Sequence, residues 1–225
     1  MKSKDLNKRI LTSIPLIFLL GFSFYSYNVL IITLILTSLI SFFEFHNLTS
    51  KIFKKNNFKS NIYKSSVNIL SIIFLVIFSL LIFSFITDEK LKLYILYLFS
   101  ICILSDIGGF IFGKIFKGKK LTKISPSKTI SGSIGSFILS LLSAPIFYFL
   151  FEAKFLSILA AVLIAILVSF FCQLGDLFIS FMKRKAKVKD TGNLLPGHGG
   201  LLDRIDGMIF AFPFSYVIIS FNILK

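Results

Sequence analysis

Residues 67–87 read VNILSIIFLVIFSLLIFSFIT, a run without a charged side chain. Because a helix needs about 20 mostly apolar residues to cross a bilayer, this run predicts a transmembrane helix. Similar runs recur along the 225-residue chain, of which 56% is hydrophobic, and the mean hydropathy is +0.89. In a soluble domain the apolar residues are spaced by a helical or strand period, so these unbroken runs favour an integral membrane protein.

Seven such runs divide the chain, and they predict an all-α, polytopic membrane protein with about seven transmembrane helices. The spans are residues 10–25, 27–45, 67–87, 91–113, 133–151, 155–181 and 206–223. The first span follows basic residues, as in a signal peptide, but no clean cleavage site follows it, so we interpret it as a retained helix. No period of about 20–50 residues repeats, which favours one membrane domain over a solenoid or an inverted-repeat transporter.

The positive charge lies on one side of these spans. The net charge is +15, and 21 of the 25 Lys and Arg residues lie before the first span or in the loops after spans two, four and six. The positive-inside rule places those segments in the cytoplasm. A basic chain can also indicate nucleic-acid binding, but membrane topology explains most of these lysines, so we expect no nucleic-acid partner.

Two aspartates interrupt apolar runs near the predicted cytoplasmic ends of their helices. A carboxylate inside a bilayer costs at least about 2.5 kcal/mol, so Asp106 and Asp176 require a partner, water or a bound cation. We favour a functional role for both over a buried hydrogen bond between helices. Five other acidic residues lie at helix ends or in loops and need no function: Asp5, Glu44, Asp88, Glu89 and Glu152.

The loop after the sixth span differs in composition from the rest of the chain. Residues 180–206 read SFMKRKAKVKDTGNLLPGHGGLLDRID. Lys and Arg bind phosphate oxygens, carboxylates hold magnesium and glycines let the backbone approach a ligand, so the mixture suits a magnesium–triphosphate complex. Asp203 and Asp206 would share one face of a helix and, with Asp176, supply oxygen ligands to the metal. The alternative is that they form only a charged helix start.

His198 lies between glycines in the same loop. Flanking glycines indicate an unusual backbone path and close approach of a ligand, which favours a role in the site. A lone histidine is more often structural, and that alternative stays open. A zinc site is not expected, because the cysteines and the other histidine are distant in the sequence.

The loop after the fourth span is the second basic, glycine-containing segment. Residues 113–129 read GKIFKGKKLTKISPSKT and lack the glycine spacing of a Walker A motif. Ser125 and Lys128 are nevertheless candidates for phosphate contacts. Gly109 and Gly113 form a small-xxx-small pair, for which helix packing is a better interpretation than chemistry.

The segment of residues 180–206 resembles the signature of the phosphatidate cytidylyltransferase (CDP-diacylglycerol synthase) family. The family pattern is Ser, two residues, Lys-Arg, then Lys-Asp, Gly, Pro, His-Gly-Gly, Asp-Arg and Asp, and every position is filled in register. The similarity extends to residues 175–177 and, more loosely, to Asp106, residues 113–114 and residues 125–129.

The resemblance is uneven along the chain. Residues 1–100 resemble the family only in hydropathy, so within a single membrane domain over residues 1–225 we expect them to supply N-terminal helices. Residues 101–225 are expected to supply the catalytic helices and cytoplasmic loops. Three positions depart from the family pattern: Phe110 replaces a tyrosine, Ile179 replaces a glutamate, and Ser131 replaces a glutamate or glutamine.

The resemblance implies that CTP and phosphatidate react to give CDP-diacylglycerol and pyrophosphate, with magnesium held by Asp176, Asp203 and Asp206. Because phosphatidate is already an anion, positioning and charge neutralisation would matter more than a strong base. The residues that it assigns to catalysis are Asp176, Lys183, Arg184, Lys189, Asp190, His198, Asp203, Arg204 and Asp206. Those that it assigns to substrate binding are Asp106, Ser125, Lys128, Gly197, Gly199 and Gly200.

The family also implies partners and a location. We expect a homodimer and a second cation beside magnesium, in a bacterial inner (plasma) membrane, with the active site on the cytoplasmic face. Two other functions stay open: a CTP-dependent lipid kinase, and a transporter or ion channel that uses Asp106 and Asp176 as a cation path. A CDP-alcohol phosphotransferase is disfavoured because its Asp-Gly-x-x-Ala-Arg core is absent.

Overall fold

The computed structural model describes residues 14–223 with the exception of residues 17, 55–56, 90, 123, 127, 151–156 and 198. The helices are α1 (Ile14–Ser23), α2 (Tyr27–Ile52), α3 (Phe58–Thr87), α4 (Lys92–Phe116), α5 (Ile130–Leu141), α6 (Ser143–Leu150), α7 (Ile158–Lys185) and α8 (Leu202–Ile223). In this part of the chain, extended pairing is confined to two isolated bridges, Lys120 with Thr129 and Leu195 with Gly199.

Among the residues that the structure describes, five helical segments are long and apolar enough to cross a bilayer. They are Tyr27–Ile52, Phe58–Thr87, Lys92–Phe116, Ile130–Leu150 and Ile158–Lys185. Large apolar side chains such as Leu70 and Leu80 are exposed on these helices, as contact with lipid requires. The prediction of an all-α, polytopic membrane protein is confirmed.

One predicted span, residues 133–151, is divided into α5 and α6 by a break at Leu142. Pro145 explains the break. Its ring would collide with the carbonyl group four residues earlier, that of Leu141, and it has no N–H to donate there. Proline is tolerated where it stands, because the first turn of a helix does not need that N–H.

The chain divides into two compact units. Unit 1 comprises Met1–Phe83 and Met182–Ile205, and unit 2 comprises Ser84–Phe181 and Asp206–Lys225. Helix α7 therefore belongs to unit 2 along most of its length and to unit 1 in its last turn. The expectation of a single membrane domain over residues 1–225 stays a prediction.

Unit 1 connects α2 to α3 through polar side chains. The hydroxyl oxygens of Ser38 and Ser79 lie 2.6 Å apart. Thr49 Oγ1 donates to Asn68 Oδ1 at 2.9 Å, and Asn68 Nδ2 lies 3.1 Å from His46 Nδ1. Hydrogen bonds of this kind join helices where the surroundings are apolar, so they fix the register of α2 against α3.

In unit 2, α4 and α5 approach each other so closely that glycines form the contact. A Cβ atom on Gly109 would lie 2.8 Å from Ser136 Oγ, and one on Gly132 would lie 2.8 Å from the carbonyl oxygen of Gly109. Gly113 faces the same helix, since a Cβ there would lie 3.6 Å from Gly132 Cα. The interpretation of Gly109 and Gly113 as helix-packing residues is confirmed.

Candidate active site

A cavity of about 270 Å³ lies in unit 2 among α4, α5, α7 and the loop before α5. Its lining combines acidic, basic and amide side chains: Asp106 from α4, Lys128 from the loop, and Gln173 and Asp176 from α7. Ser133 on α5 donates a hydrogen bond to Gln173 across the cavity. Ionisable side chains are costly among apolar helices, so their concentration here indicates a charged ligand.

Asp176 and Lys128 form an ion pair at this cavity. Lys128 Nζ contacts Asp176 Oδ2, and Ser180 Oγ lies 3.4 Å from Asp176 Oδ1 as a donor. The side chains of Lys128 and Asp176 are 28% and 31% exposed. Because both stay accessible, an anionic ligand can compete for the lysine and a cation can compete for the carboxylate.

The loop before α5 brings Lys128 to the cavity. Thr129 is the N-cap of α5, and its side-chain oxygen accepts from the Gly132 N–H at 3.1 Å, which satisfies a donor left open at the helix start. The Lys128 N–H donates to the Ser125 carbonyl oxygen at 3.0 Å. Ser125 is buried in the turn that precedes Lys128, and its contact with substrate stays a prediction.

The donor chemistry of the cavity fits magnesium. Magnesium usually takes one or two carboxylates and completes its shell with water and phosphate oxygens, and Asp106 and Asp176 offer two carboxylates to one cavity. In the described part of the chain, no three Asp, Glu, His or Cys side chains come close enough together to hold a metal by themselves. The predicted ligands Asp176 and Asp206 belong to unit 2 and Asp203 to unit 1, and their joint role stays a prediction.

Asp206, which also belongs to unit 2, lies near the turn of α7 that carries Gly175 and Asp176. Both Asp206 and Asp106 interact electrostatically with the thiol of Cys172, which is about one helical turn from Asp176. A Cβ atom on Gly175 would collide with the Asp206 carbonyl oxygen, so α8 approaches α7 closely here. Unit 2 therefore places three acidic side chains around neighbouring turns of α7.

In unit 1, Asp203 accepts hydrogen bonds on both carboxylate oxygens. Lys183 Nζ donates to Oδ1 at 2.6 Å, and the backbone N–H groups of Thr191 and Gly200 donate to Oδ2 at 2.8 and 3.2 Å. Burial raises the pKa of Asp203. The hydrogen bonds from Lys183, Thr191 and Gly200 together lower it by a larger amount, so the pKa lies below its ordinary value of 3.8. Asp203 is therefore ionised at neutral pH and joins both ends of the loop.

Glu44 on α2 was expected from its place in the sequence to need no function. Its carboxylate is buried and accepts from the N–H groups of Leu201 and Leu202, each at 2.9 Å, where α8 begins. The Thr191 hydroxyl lies 2.7 Å from Glu44 Oε2. One signal was available in the sequence: Glu44 stands between Phe43 and Phe45 in an apolar run, as Asp106 and Asp176 do in theirs.

Comparison with known protein families gives a match over nearly the whole chain. A family model described as the Cytidylyltransferase family matches residues 1–222. The chain belongs to the Cytidylyltransferase family. The resemblance that the signature residues indicated is therefore confirmed.

Two relatives of this cytidylyltransferase-family chain carry the name phosphatidate cytidylyltransferase. The protein of Staphylococcus haemolyticus (strain JCSC1435) is 46% identical over 127 residues, which cover 56% of this chain and 48% of that protein. The protein of Bacillus subtilis (strain 168) is 39% identical over 141 residues, which cover 60% and 52%. The chain spans about half the length of the curated relatives it matches.

The remaining charged residues of the cytidylyltransferase signature lie at the surface of unit 1. Exposed side chains from this set are those of Arg184, Lys189, Asp190 and Arg204. They stand on the last turn of α7, in the loop after it and in the first turn of α8, and the three cations among them have the chemistry of phosphate ligands. His198 lies outside the described residues.

A tight turn forms the glycine-rich part of the cytidylyltransferase signature. The Leu195 N–H donates to the Gly199 carbonyl oxygen at 2.9 Å, and the Gly199 N–H donates back at 3.1 Å. Gly197 and Gly199 have φ angles of 80° and 86°, which glycine adopts without strain. Gly200 is required for another reason, since a Cβ atom there would collide with Thr191 Oγ1 and the Glu44 carboxylate.

Proposed function

We propose that this chain is a phosphatidate cytidylyltransferase, which transfers CMP from CTP to phosphatidate. A phosphate oxygen of phosphatidate forms a bond to the α-phosphorus of CTP, and the bond from that phosphorus to the oxygen bridging to the β-phosphate breaks. Pyrophosphate leaves with the electron pair, and CDP-diacylglycerol stays in the bilayer. The observation that carries the proposal is the accessible Lys128–Asp176 pair in a polar cavity among bilayer-spanning helices.

Lys128 has the chemistry of a phosphate ligand. Its ammonium group is held at the cavity by Asp176, and a triphosphate offers it several anionic oxygens in place of one carboxylate. Transfer of Lys128 to the phosphates would leave Asp176 free to accept a cation. When the negative charge of the triphosphate oxygens is neutralised, the phosphatidate anion is repelled less as it attacks the α-phosphorus. Charge neutralisation and alignment therefore supply the catalysis.

Asp106 and Asp176 are the residues that would hold magnesium at this cavity, and the roles of Asp203 and Asp206 as metal ligands stay predictions. Magnesium bound there supplies charge neutralisation of the triphosphate and of the pyrophosphate leaving group. The exposed cations of the signature are proposed to bind the outer phosphates, and His198 with its glycines to shape the nucleotide pocket. A second cation stays a prediction.

The location belongs to the same proposal. The excess of Lys and Arg in alternate loops supports a multi-pass protein of the bacterial inner membrane with its active site on the cytoplasmic face, where CTP is available. The lipid tails of phosphatidate would stay in the bilayer while its phosphate reaches the cavity. The homodimer and the absence of a nucleic-acid partner are predictions of the family resemblance and of the topology.

A reconstitution assay tests the function. The purified chain in detergent–phosphatidate micelles with magnesium and CTP labelled at the α-phosphorus should transfer label to the lipid and release one pyrophosphate for each lipid product. Micelles without phosphatidate should give neither product.

The products also discriminate the alternatives. Release of CDP together with a phosphorylated lipid would identify a CTP-dependent kinase, and nucleotide-dependent uptake into vesicles without a covalent product would identify a transporter. If folded protein gives no labelled lipid with magnesium, manganese or cobalt, the proposed function is wrong.

A further inference from the structure

The loop between α7 and α8, residues 186–201 in unit 1, is bound to a helix that is distant in the sequence. Glu44, on α2, is 6% exposed and accepts three hydrogen bonds from the loop and from the start of α8. Its two oxygens each take one backbone N–H group, from Leu201 and Leu202. These groups are left without partners at a helix start, so the carboxylate acts as an N-terminal cap supplied from another helix.

Thr191 links Glu44 to Asp203. Its hydroxyl oxygen lies 2.7 Å from Glu44 Oε2 and 3.0 Å from Asp203 Oδ2. A hydroxyl has one hydrogen to donate, so the two carboxylates share a single donor. A displacement of either carboxylate therefore changes the hydrogen bond that is available to the other.

Two glycines of the loop leave room for the Glu44 carboxylate. A Cβ atom on Gly192 would lie 2.6 Å from Glu44 Oε1, and one on Gly200 would collide with Glu44 Oε2. The loop backbone therefore packs directly on the carboxylate from two sides. The glycines of this segment were expected to let the backbone approach a ligand. At Gly192 and Gly200 they let it approach the Glu44 carboxylate of the same protein.

We propose that Glu44 is a positioning residue for the transferase reaction, which holds the start of α8 and Thr191 so that Asp203 and Lys183 keep their geometry. The inference rests on the proposed function, in which this loop binds the nucleotide phosphates. An apolar side chain could fill the same space without the cost of burying a charge. What the carboxylate adds is direction, because two oxygens fix two backbone N–H groups and one hydroxyl.

Replacement of Glu44 by glutamine keeps the shape of the side chain and tests the role. The amide presents an NH2 group to one of the two backbone donors, so one hydrogen bond is lost and the loop shifts. We expect kcat per folded molecule to fall about 10- to 100-fold, the range typical when a group that orients a functional side chain is removed. The fraction of folded protein, measured by size exclusion in detergent, should stay close to that of the wild type.

Ser41→Ala is the matched control. Ser41 lies one turn before Glu44 on the same helix and is fully buried, and its hydroxyl has no hydrogen-bond partner among the described residues. The substitution should leave kcat and folding unchanged. Hydrogen exchange at the amides of Leu201 and Leu202 should be faster in Glu44→Gln than in Ser41→Ala, and this readout does not depend on activity.

Thr191→Val provides a second test if Glu44→Gln fails to fold. It removes the shared hydroxyl and keeps both carboxylates, and kcat should again fall. The double variant should lose no more activity than Glu44→Gln alone, because both act through one network. Losses that multiply, or folded Glu44→Gln with wild-type kcat and wild-type exchange, would overturn the proposal. A wild-type chain without transferase activity would instead refute the proposed function.

Discussion

Two Lys–Asp pairs of this chain have the same chemistry and different surroundings. Lys128 and Asp176 line the cavity of unit 2 with side chains 28% and 31% exposed. Lys183 and Asp203 in unit 1 are 13% and 8% exposed, and further hydrogen bonds occupy the carboxylate. Lys128 and Asp176 can therefore exchange each other for a ligand. The Asp203 carboxylate is already bound by Lys183, Thr191 and Gly200, so its role is to hold the loop in place.

The difference separates two roles, ligand binding and support of the loop, for residues that the family resemblance assigns together to the active site. An accessible ion pair contributes roughly 0–1 kcal/mol to stability, so the protein gives up little when a ligand opens it. A buried pair that loses one partner leaves an uncompensated charge, which costs about 3 kcal/mol or more. We therefore expect substitutions at Asp176 to change activity alone, and substitutions at Asp203 to change stability as well.

Asp176→Asn should have the largest effect, which falls on activity. The change removes the charge that holds Lys128 and the carboxylate proposed for magnesium, so CMP transfer should fall by about 10³-fold. The melting temperature in detergent should stay within about 2 °C of the wild type, because the pair is accessible. Initial rates and thermal unfolding on the same preparation measure both quantities.

Glu89→Gln serves as the control for Asp176→Asn. Glu89 pairs with Lys92 at 3.6 Å in unit 2, with 81% of the Glu89 side chain exposed, so the variant removes an ion pair away from the cavity. It should leave both rate and melting temperature unchanged. A similar loss of activity in Glu89→Gln would mean that net charge, and not the cavity, determines the rate.

Asp203→Asn should destabilise the protein by about 3 kcal/mol, because Lys183 is left without its charged partner. The pKa of Asp203 lies below its ordinary value of 3.8, so its contribution to stability is complete above that pH and is lost as the pH falls through the lowered pKa. The difference in melting temperature between wild type and variant should be constant from pH 7 to about pH 5 and should narrow below about pH 4. A difference that changed between pH 6 and 8 would point to another titrating group.

The sequence predicted the helices of this chain well because hydropathy determines which segments can cross a bilayer. The break between α5 and α6 was not predicted, although its cause, Pro145, stands in the predicted span of residues 133–151. Lys128 and Asp176 were chosen by residue type, and the structure pairs them at one cavity. For these features the local sequence contains the physical cause.

The environment of Asp203 and the role of Glu44 could not be predicted in the same way. The partners of Glu44 include the backbone N–H groups of Leu201 and Leu202, which are distant in the sequence and have no residue type to mark them. Burial of the Lys183–Asp203 pair depends on how the end of α7 and the start of α8 pack, and a charged side chain at a helix end is normally assigned to solvent. Tertiary packing therefore decided which aspartate is accessible.

Gly108→Ala should give the smallest effect and shows whether unit 2 can be disturbed independently of the loop. A Cβ atom on Gly108 would collide with the Gly135 carbonyl oxygen and lie 3.1 Å from Leu139 Cβ, so α4 must move away from α5. Overpacking of this kind costs about 2 kcal/mol. In Gly113→Ala the added Cβ would lie 3.2 Å from Thr129 Oγ1, a contact that needs only a small shift, so this matched variant should stay within about 0.5 kcal/mol of the wild type.

Thermal unfolding and hydrogen exchange together read out the glycine variants. In Gly108→Ala the melting temperature and the transferase rate should both fall, because Gly109 and Gly132 line the cavity between the displaced helices. Exchange at the amides of Leu201 and Leu202 in unit 1 should keep its wild-type rate, because their partner Glu44 is untouched. Faster exchange there would mean that the loop depends on the α4–α5 contact. The distinction between an accessible ion pair at the cavity and a buried ion pair that holds the loop independently would then be wrong.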